Sequence, residues 1–369
     1  MTEEMQSTKK KDRFRSLDVT RGLIVMLSVL LYHIPPGGYE ALRHAEWYNV
    51  KIMDFILPCF ITVFGTGMAF AYHRGIAWGK FLTRTIRLIV YGFIFNMVVA
   101  WSIDFTTLRI TGVLQLYAVL GLVTVLLTTY IPWKKLFLPV ILLVITQGWI
   151  LLSFSNSCVK GLPQIDCNPS GMIDVMIFGA SHLYRGGTAG YDPEGILTIF
   201  GALTNVLIGF IAGKILLEYR KRGAWIKLFG LGTLVVVIAY FTSDILPYSK
   251  KIWTPTFALL TAGTSILALS ILYILVDVIN KNQKNGLIWF IEAYGRNSFF
   301  IYFGKMVLFS IITHWTIHMG GMDKSISTII YDYIAIYTEI PQLMYAFVMF
   351  IGWSLVAIIL HKMKWYVKV

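Results

Sequence analysis

Long apolar runs set the pattern of the chain and predict its secondary structure. A helix needs about 20 mostly apolar residues to cross the hydrocarbon core of a membrane, whereas a membrane β-barrel shows segments of about ten residues with alternating hydrophobicity. The chain carries the first pattern, so it predicts an all-α, polytopic membrane protein with about ten transmembrane helices. The predicted spans lie at roughly 17–35, 50–72, 80–101, 109–131, 135–154, 196–217, 226–244, 255–278, 287–317 and 341–361.

Three segments need separate treatment. The run 287–317 is longer than one span requires, which predicts either a break near Gly295 or an interfacial segment at its start. Residues 323–340 contain Asp332 and Glu339, and we expect them to be interfacial. The first run follows basic residues, but YHIPP stands where a signal peptide would carry small residues for cleavage, so a retained first helix is predicted.

Composition and charge narrow the class of protein. Hydrophobic residues make up 57% of the 369 residues and charged residues 14%, against about 45–50% and about 25% in soluble domains. This excludes a soluble enzyme and a disordered chain. The net charge of +13 would favour a nucleic-acid partner on an aqueous surface, but the basic residues flank apolar runs. We therefore expect a lipid bilayer as partner and no nucleic acid.

The distribution of lysine and arginine predicts the orientation in the membrane. With ten spans and both termini in the cytoplasm, 21 of the 32 basic residues lie inside and eight outside, while Arg21, Arg296 and Lys305 lie within spans. This is the bias of the positive-inside rule, and an eleventh span would reverse it at the C-terminus. The sequence thus predicts a multi-pass protein of the inner (plasma) membrane. We expect a basic cytoplasmic tail at 1–16 and a single transmembrane domain at 17–369.

The three cysteines fall in two environments. Cys158 and Cys167 lie in the predicted outer segment 155–195, where an oxidising environment would favour a disulfide that closes a short loop. Cys59 lies in an apolar run and is expected to be an inert packing residue. No group of residues has the spacing of a metal site, so none is predicted.

Titratable side chains inside or next to a span are costly and often functional. His33 and His44 lie between the first two runs, with Glu46, Trp47 and, in the second run, Asp54. Histidine is the usual general base near neutral pH, and a carboxylate such as Asp54 would fix its tautomer. Anchoring of this loop at the interface is the alternative explanation.

Charged positions elsewhere in the chain have structural or functional explanations. Asp18 and Arg21 share a helical face, and they either form a neutralised anchor or contribute, with Arg15, to an anion site. Arg109 either snorkels to the interface or acts in the site. Asp-Pro-Glu-Gly at 192–195 is typical of a helix start. Arg296 and Lys305 require a polar cavity or an anionic ligand.

Five motifs occur in order along the chain: RFRSLDVTRG, RHAEW followed by Asp54, Pro58 and Phe60, RITGVLQ, YDPEG with GFIAGKIL, and RNSFFIYFGK. From Arg13 to about Val307 they resemble the heparan-α-glucosaminide N-acetyltransferase family of transmembrane acyltransferases. The resemblance implies a ten-helix core, and the short basic tail in place of the animal enzyme's luminal region implies a bacterial member.

The family resemblance implies acetyl transfer from cytoplasmic acetyl-CoA to an amino sugar on the extracytoplasmic side, a modification of glycans. The family's catalytic histidine falls on His44, and its acidic neighbour falls on Asp54. His33 stands where the family has a supporting asparagine, and Lys305 where relatives have histidine. We expect His33 either to take over the hydrogen bond or to act as a second base. The resemblance also implies a homodimer.

With acetyl-CoA as co-substrate, further residues become candidates for binding the donor and the acceptor. Basic and polar side chains can hold its phosphates by charge-assisted hydrogen bonds: Arg15, Arg21, Arg84, Arg87, Lys214, Arg296, Asn297 and Ser298. The candidates for the acceptor site are Glu46, Trp47, Arg109, Asp192 and Glu194. Arg109, Asn297 or His33 would polarise the carbonyl group.

Several alternatives stay open from the sequence. The transfer would be direct or would pass through acetyl-histidine, and the acceptor atom would be nitrogen or oxygen. A proton-coupled transporter that uses His33, His44 and Asp54 as a relay is the competing function. Internal repeats, which are frequent in transporters, are not evident in the sequence.

Overall fold

The computed structural model describes residues 14–158, 161–220, 223–280, 285–319 and 321–367, so most of the predicted basic tail lies outside the described residues. Helices form nearly all of the regular structure, which confirms the all-α prediction. The helices are α1 (Arg15–Tyr32), α2 (Ile56–Ala71), α3 (Trp78–Ala100), α4 (Val113–Tyr130), α5 (Phe137–Ser155), α6 (Pro169–Phe178), α7 (Ile196–Tyr219), α8 (Ala224–Thr242), α9 (Pro255–Leu272), α10 (Gly286–Arg296), α11 (Ser298–His314), α12 (Ile326–Ala335) and α13 (Pro341–Lys362). An antiparallel hairpin of β1 (Thr316–Met319) and β2 (Met322–Ser325) links α11 to α12.

Within the described ranges, eight helices are long and apolar enough to cross a membrane, which confirms a multi-pass helical membrane protein. They are α2 with the preceding turn, α3, α4, α5 with the preceding turn, α7, α8, α9 with its π-helical continuation to Ile279, and α13. The predicted first span is α1, whose 18 residues include Arg15, Asp18 and Arg21. The count of ten spans and the cytoplasmic termini stay predictions.

The long run 287–317 is divided into two helices. α10 ends at Arg296 and α11 begins at Ser298, so Asn297 separates them two residues from Gly295. Of the two predicted alternatives for this run, the structure shows the break. α11 has 17 residues and is thus shorter than the eight spanning helices.

Small residues allow α2 and α7 to pack closely at the centre of the bundle. A Cβ atom at Gly65 would lie 2.0 Å from the carbonyl oxygen of Val206, and one at Gly209 would lie 1.9 Å from that of Thr62. Such close approach through glycine is typical of helices packed within membranes. Next to this contact, the buried Asn205 donates to the hydroxyl groups of Thr62 and Thr261, and this joins α2, α7 and α9.

Loops from distant parts of the chain meet at one end of the bundle. Lys250, between α8 and α9, contacts His44, between α1 and α2. Arg109, before α4, binds Asp192, before α7. We call this the His44 end. The opposite end, where α1 begins and α13 finishes, contains Arg296, and we call it the Arg296 end.

Candidate active site

His44 and Asp54 form a hydrogen-bonded pair at the His44 end. Asp54 lies in the 3-10 turn Ile52–Phe55 that precedes α2, and its side chain is 1% exposed. Its Oδ2 accepts hydrogen bonds from the backbone N–H groups of Ala45 (3.0 Å) and Lys51 (2.9 Å). Its Oδ1 lies 2.6 Å from His44 Nδ1. Three hydrogen bonds therefore hold the carboxylate in place. Because Oδ1 accepts from Nδ1, the neutral imidazole carries its proton on Nδ1 and keeps a lone pair on Nε2.

Lys250, in the loop between α8 and α9, contacts the His44–Asp54 pair from a distant part of the sequence. Its Nζ lies 3.0 Å from Nδ1 and 3.3 Å from Nε2 of His44, and 3.9 Å from Oδ1 of Asp54. Burial lowers the pKa of Lys250 to about 8. Burial also lowers the pKa of His44; the hydrogen bond to Asp54 opposes this shift, and the charge of Lys250 adds to it. Nothing in the sequence singled out Lys250, because a lysine pair in a polar loop is ordinary.

A cavity of about 820 Å³ opens onto His44, whose side chain is 38% exposed. Its walls come from α1, α3 and α11, from the loops before α2, α4 and α9 with the first residues of α2 and α4, and from the segment 183–194. The acidic and basic side chains that line it are His44, Asp104, Arg109, Arg185, Glu194, Lys250, Lys251 and Lys305. The cavity therefore offers several hydrogen-bonding groups within a largely apolar wall.

Arg109 is held in the wall of this cavity by two carboxylates. Its Nη2 lies 2.7 Å from Oδ1 of Asp192 and 2.5 Å from Oε2 of Glu194, while its Nε donates to Thr111 Oγ1 at 3.0 Å. Asp192 is fully buried and also accepts from the Tyr184 N–H group, so it organises the loop behind the cavity. Of the residues predicted to bind the acceptor substrate, Arg109 and Glu194 line the cavity.

Glu46 and Trp47, which were also predicted to bind the acceptor substrate, lie outside this cavity. Glu46 is exposed and is not among the residues that line the cavity. Trp47 donates from Nε1 to the carbonyl oxygen of Pro163 (2.9 Å), which connects its loop to the segment closed by the disulfide between Cys158 and Cys167. Trp47 thus supports the loop that carries His44.

His33 lies at the end of α1 and is 2% exposed. Its Nδ1 donates to the Val29 carbonyl oxygen at 2.7 Å, and its ring packs edge-on against Tyr32 and Phe309. It is not among the described residues that line the cavity, and the structure does not bring it to His44. Lys305 does line the cavity. Its Nζ lies 3.9 Å from the centre of the Tyr32 ring.

A second cavity of about 420 Å³ lies towards the Arg296 end. Arg21, Arg84, Arg296 and Ser298 line it together with aromatic rings. The Nε atoms of Arg84 and Arg296 are buried and have no hydrogen-bond partner among the described residues. Tyr302 lines both cavities, so the two spaces adjoin at this side chain.

The other predicted phosphate-binding residues do not line this second cavity. Arg15 forms an ion pair with Glu292, with 2.7 Å between Nε and Oε1. Arg87 is exposed on α3, and Lys214 lies over the Phe210 ring. Asn297 is fully buried at the break between α10 and α11, where its Oδ1 has no partner in the described part of the chain.

Fold and site define a multi-pass helical membrane protein in which the histidine of a His–Asp pair lines a cavity. Residues 13–248 match the family described as heparan-alpha-glucosaminide N-acetyltransferase, catalytic. The chain belongs to this family, which confirms the predicted resemblance; the bacterial origin stays a prediction. His44, Asp54 and Arg109 lie within the matched residues, whereas Lys250 and Tyr302 lie beyond them.

Two curated relatives share similarity over a longer stretch. The chain is 26% identical, over an alignment 361 positions long, to heparan-alpha-glucosaminide N-acetyltransferase of Homo sapiens and to that of Mus musculus. Each alignment covers 80% of this chain, and 53% of the human protein or 54% of the mouse protein. The chain therefore spans about half the length of these relatives.

Proposed function

We propose that this protein is a transmembrane acetyltransferase that moves an acetyl group from acetyl-CoA to an amino sugar, with His44 as general base. The observation that carries the proposal is the position of Tyr302. This side chain lines both the cavity onto which His44 opens and the cavity lined by three arginines. Donor and acceptor can thus approach one site from opposite ends of the bundle. The names of the relatives support the same chemistry.

The arginine-lined cavity suits the donor. The nucleotide part of acetyl-CoA carries several negative charges, and arginine binds phosphate through a planar set of N–H donors. Arg84 and Arg296 each have a buried Nε without a partner among the described residues, and Arg21 lines the same space. The positive-inside bias supports placing this end in the cytoplasm of an inner (plasma) membrane, where acetyl-CoA is available.

The His44–Asp54 pair suits the transfer. An acceptor amine hydrogen-bonded to Nε2 of His44 attacks the thioester carbonyl carbon, which forms the C–N bond and breaks the C–S bond. The amine proton passes to Nε2, and the thiolate of CoA takes up a proton to leave as the free thiol. Proton removal by a positioned base contributes about 10²- to 10⁴-fold in rate. The lowered pKa of His44 keeps the imidazole unprotonated at neutral pH.

The test is acetyl-CoA-dependent release of free thiol by the purified protein in detergent, with glucosamine as acceptor. We expect release only with both substrates, and a loss of at least about 100-fold in kcat for His44→Ala with acetyl-CoA binding retained. Wild-type turnover by His44→Ala contradicts the role of His44. Solute uptake driven by a pH gradient, without thiol release, favours the transporter.

A further inference from the structure

Lys250 is held directly against the base although it comes from a loop 206 residues further along the chain. Its Nζ lies within 3.3 Å of both ring nitrogens of His44, and its side chain is 17% exposed and lines the same cavity. The arrangement places a positive charge beside Nε2, at the point where the acceptor nucleophile has to bind.

Most of the hydrogen-bond donors of this ammonium group are available to a ligand. An ammonium group has three N–H donors. Nδ1 of His44 cannot accept one because its own proton points to Asp54, and Oδ1 of Asp54 is 3.9 Å from Nζ, which is too far for a hydrogen bond. Nε2 offers one lone pair. At least two donors thus have no acceptor among the groups of the His–Asp pair.

The other candidates for polarising the carbonyl group are already engaged or distant. Arg109 binds Asp192, Glu194 and Thr111. His33 donates to the backbone of its own helix, and Asn297 lies at the break between α10 and α11. Lys250 is the cation that contacts His44 in the described part of the site.

We propose that Lys250 is a further catalytic residue, whose ammonium group binds the carbonyl oxygen of the acetyl group while that oxygen gains negative charge. This rests on the proposed function. An amine bound at Nε2 places the carbonyl carbon beside Nζ, so the oxygen can reach the free donors. When the C–S bond breaks, the oxygen becomes a carbonyl oxygen again, and Lys250 keeps its proton throughout. Oriented donors of this kind act as an oxyanion hole.

Four charged or titratable groups determine whether Lys250 is protonated. Asp54 and His44 face it from the loop before α2, Glu194 from the segment before α7, and Lys251 from its own loop. Burial lowers the pKa of Lys250 to about 8, so the ammonium form persists at neutral pH and is lost above it. The proposed role thus gives an alkaline limb to the pH–rate profile.

The experiment compares Lys250→Met, Lys250→Arg and the control Lys227→Met, which removes an exposed cation on α8 that lines neither cavity. We expect Lys250→Met to lower kcat by about 10²- to 10³-fold with the Kd for acetyl-CoA unchanged. Lys227→Met should stay close to wild type. Lys250→Arg should keep most of the neutral-pH rate and lose the alkaline limb near pH 8, because arginine stays protonated.

Two results overturn the assignment: wild-type kcat in Lys250→Met, or an unchanged alkaline limb in Lys250→Arg. Thermal unfolding of each variant identifies any loss of activity that comes from misfolding. Failure of the proposed function gives a different result, because the wild-type protein then releases no thiol. An inactive His44→Ala beside a fully active Lys250→Met would refute only the role of Lys250.

Discussion

Oδ1 of Asp54 lies 2.6 Å from Nδ1 of His44, and Oδ2 of the same carboxylate is bound by two backbone N–H groups. The carboxylate can therefore do two things at once. It closes the turn before α2, and it fixes the ring of His44 with Nε2 free to accept a proton. Loop structure and base orientation depend on one side chain.

Asp54→Asn should remove the fixed tautomer while it keeps the shape of the side chain. The amide can donate to Nδ1, which would move the ring proton to Nε2 and leave the base without its lone pair. We expect a loss of about 10²- to 10⁴-fold in kcat with little change in acetyl-CoA binding. Asp104→Asn, at an exposed carboxylate that lines the same cavity, is the matched control and should retain activity. Equal losses in both variants would argue against the pair.

The pH dependence of the transfer should reflect the environment of His44. A general base acts only when it is unprotonated, and a lowered pKa keeps it unprotonated at lower pH. The acid limb of kcat/KM should thus lie below about pH 6.5, the ordinary value for histidine. Lys250→Met removes a positive charge that lowers this pKa, so it should move the acid limb upwards. A wild-type limb above pH 6.5, measured from pH 5 to 8, would contradict the described environment.

The sequence predicted the elements of the fold better than their assembly. Apolar length located the long helices, and the excess length of the run 287–317 was enough to predict either a break near Gly295 or an interfacial start. The charges of α1 complicate the count of spans, because Arg15, Asp18 and Arg21 reduce its hydropathy. Length and composition are local properties, and they are visible without any contact between helices.

Within the site, the pair His44 and Asp54 was predictable because both residues lie in one short segment. Lys250 and Tyr302 were not, since their roles depend on which loops and helix faces meet after the bundle has packed. For the same reason, the sequence did not show which arginines line the donor cavity. Arg84 and Arg87 look equivalent in the sequence, but the rotation of α3 places only Arg84 in the cavity.

Tyr302 should act as the partition between the two cavities. Its ring packs edge-on against Phe60, which lines the donor cavity, at 5.2 Å between ring centres. Tyr302→Ala should open a continuous passage. In sealed vesicles, with Cys59 replaced by alanine, a cysteine in place of Ser28 should react with an impermeant thiol reagent from the Arg296 side only when Tyr302→Ala is present.

Phe299→Ala is the control for this labelling experiment, because Phe299 lines the donor cavity and not the cavity around His44. We expect it to leave position 28 protected. Labelling at position 28 with Tyr302 intact would show that the cavities are already open to each other. Protection that persists in Tyr302→Ala would show that other side chains separate them.

Arg84 and Arg87 offer a matched pair for the donor site, since they lie one turn apart on α3. Arg84 lines the cavity and has a buried Nε without a partner among the described residues, whereas Arg87 is exposed. A hydrogen bond to a charged group contributes about 1.5–3 kcal/mol. Arg84→Ala should therefore raise the Kd for acetyl-CoA by roughly 10- to 100-fold, and Arg87→Ala should leave it unchanged. Calorimetry with acetyl-CoA and with acetyl-pantetheine, which carries no phosphate, compares the two variants. The loss in Arg84→Ala should disappear with the uncharged ligand, because no phosphate is then available to the guanidinium group; equal losses with both ligands would place the phosphates elsewhere.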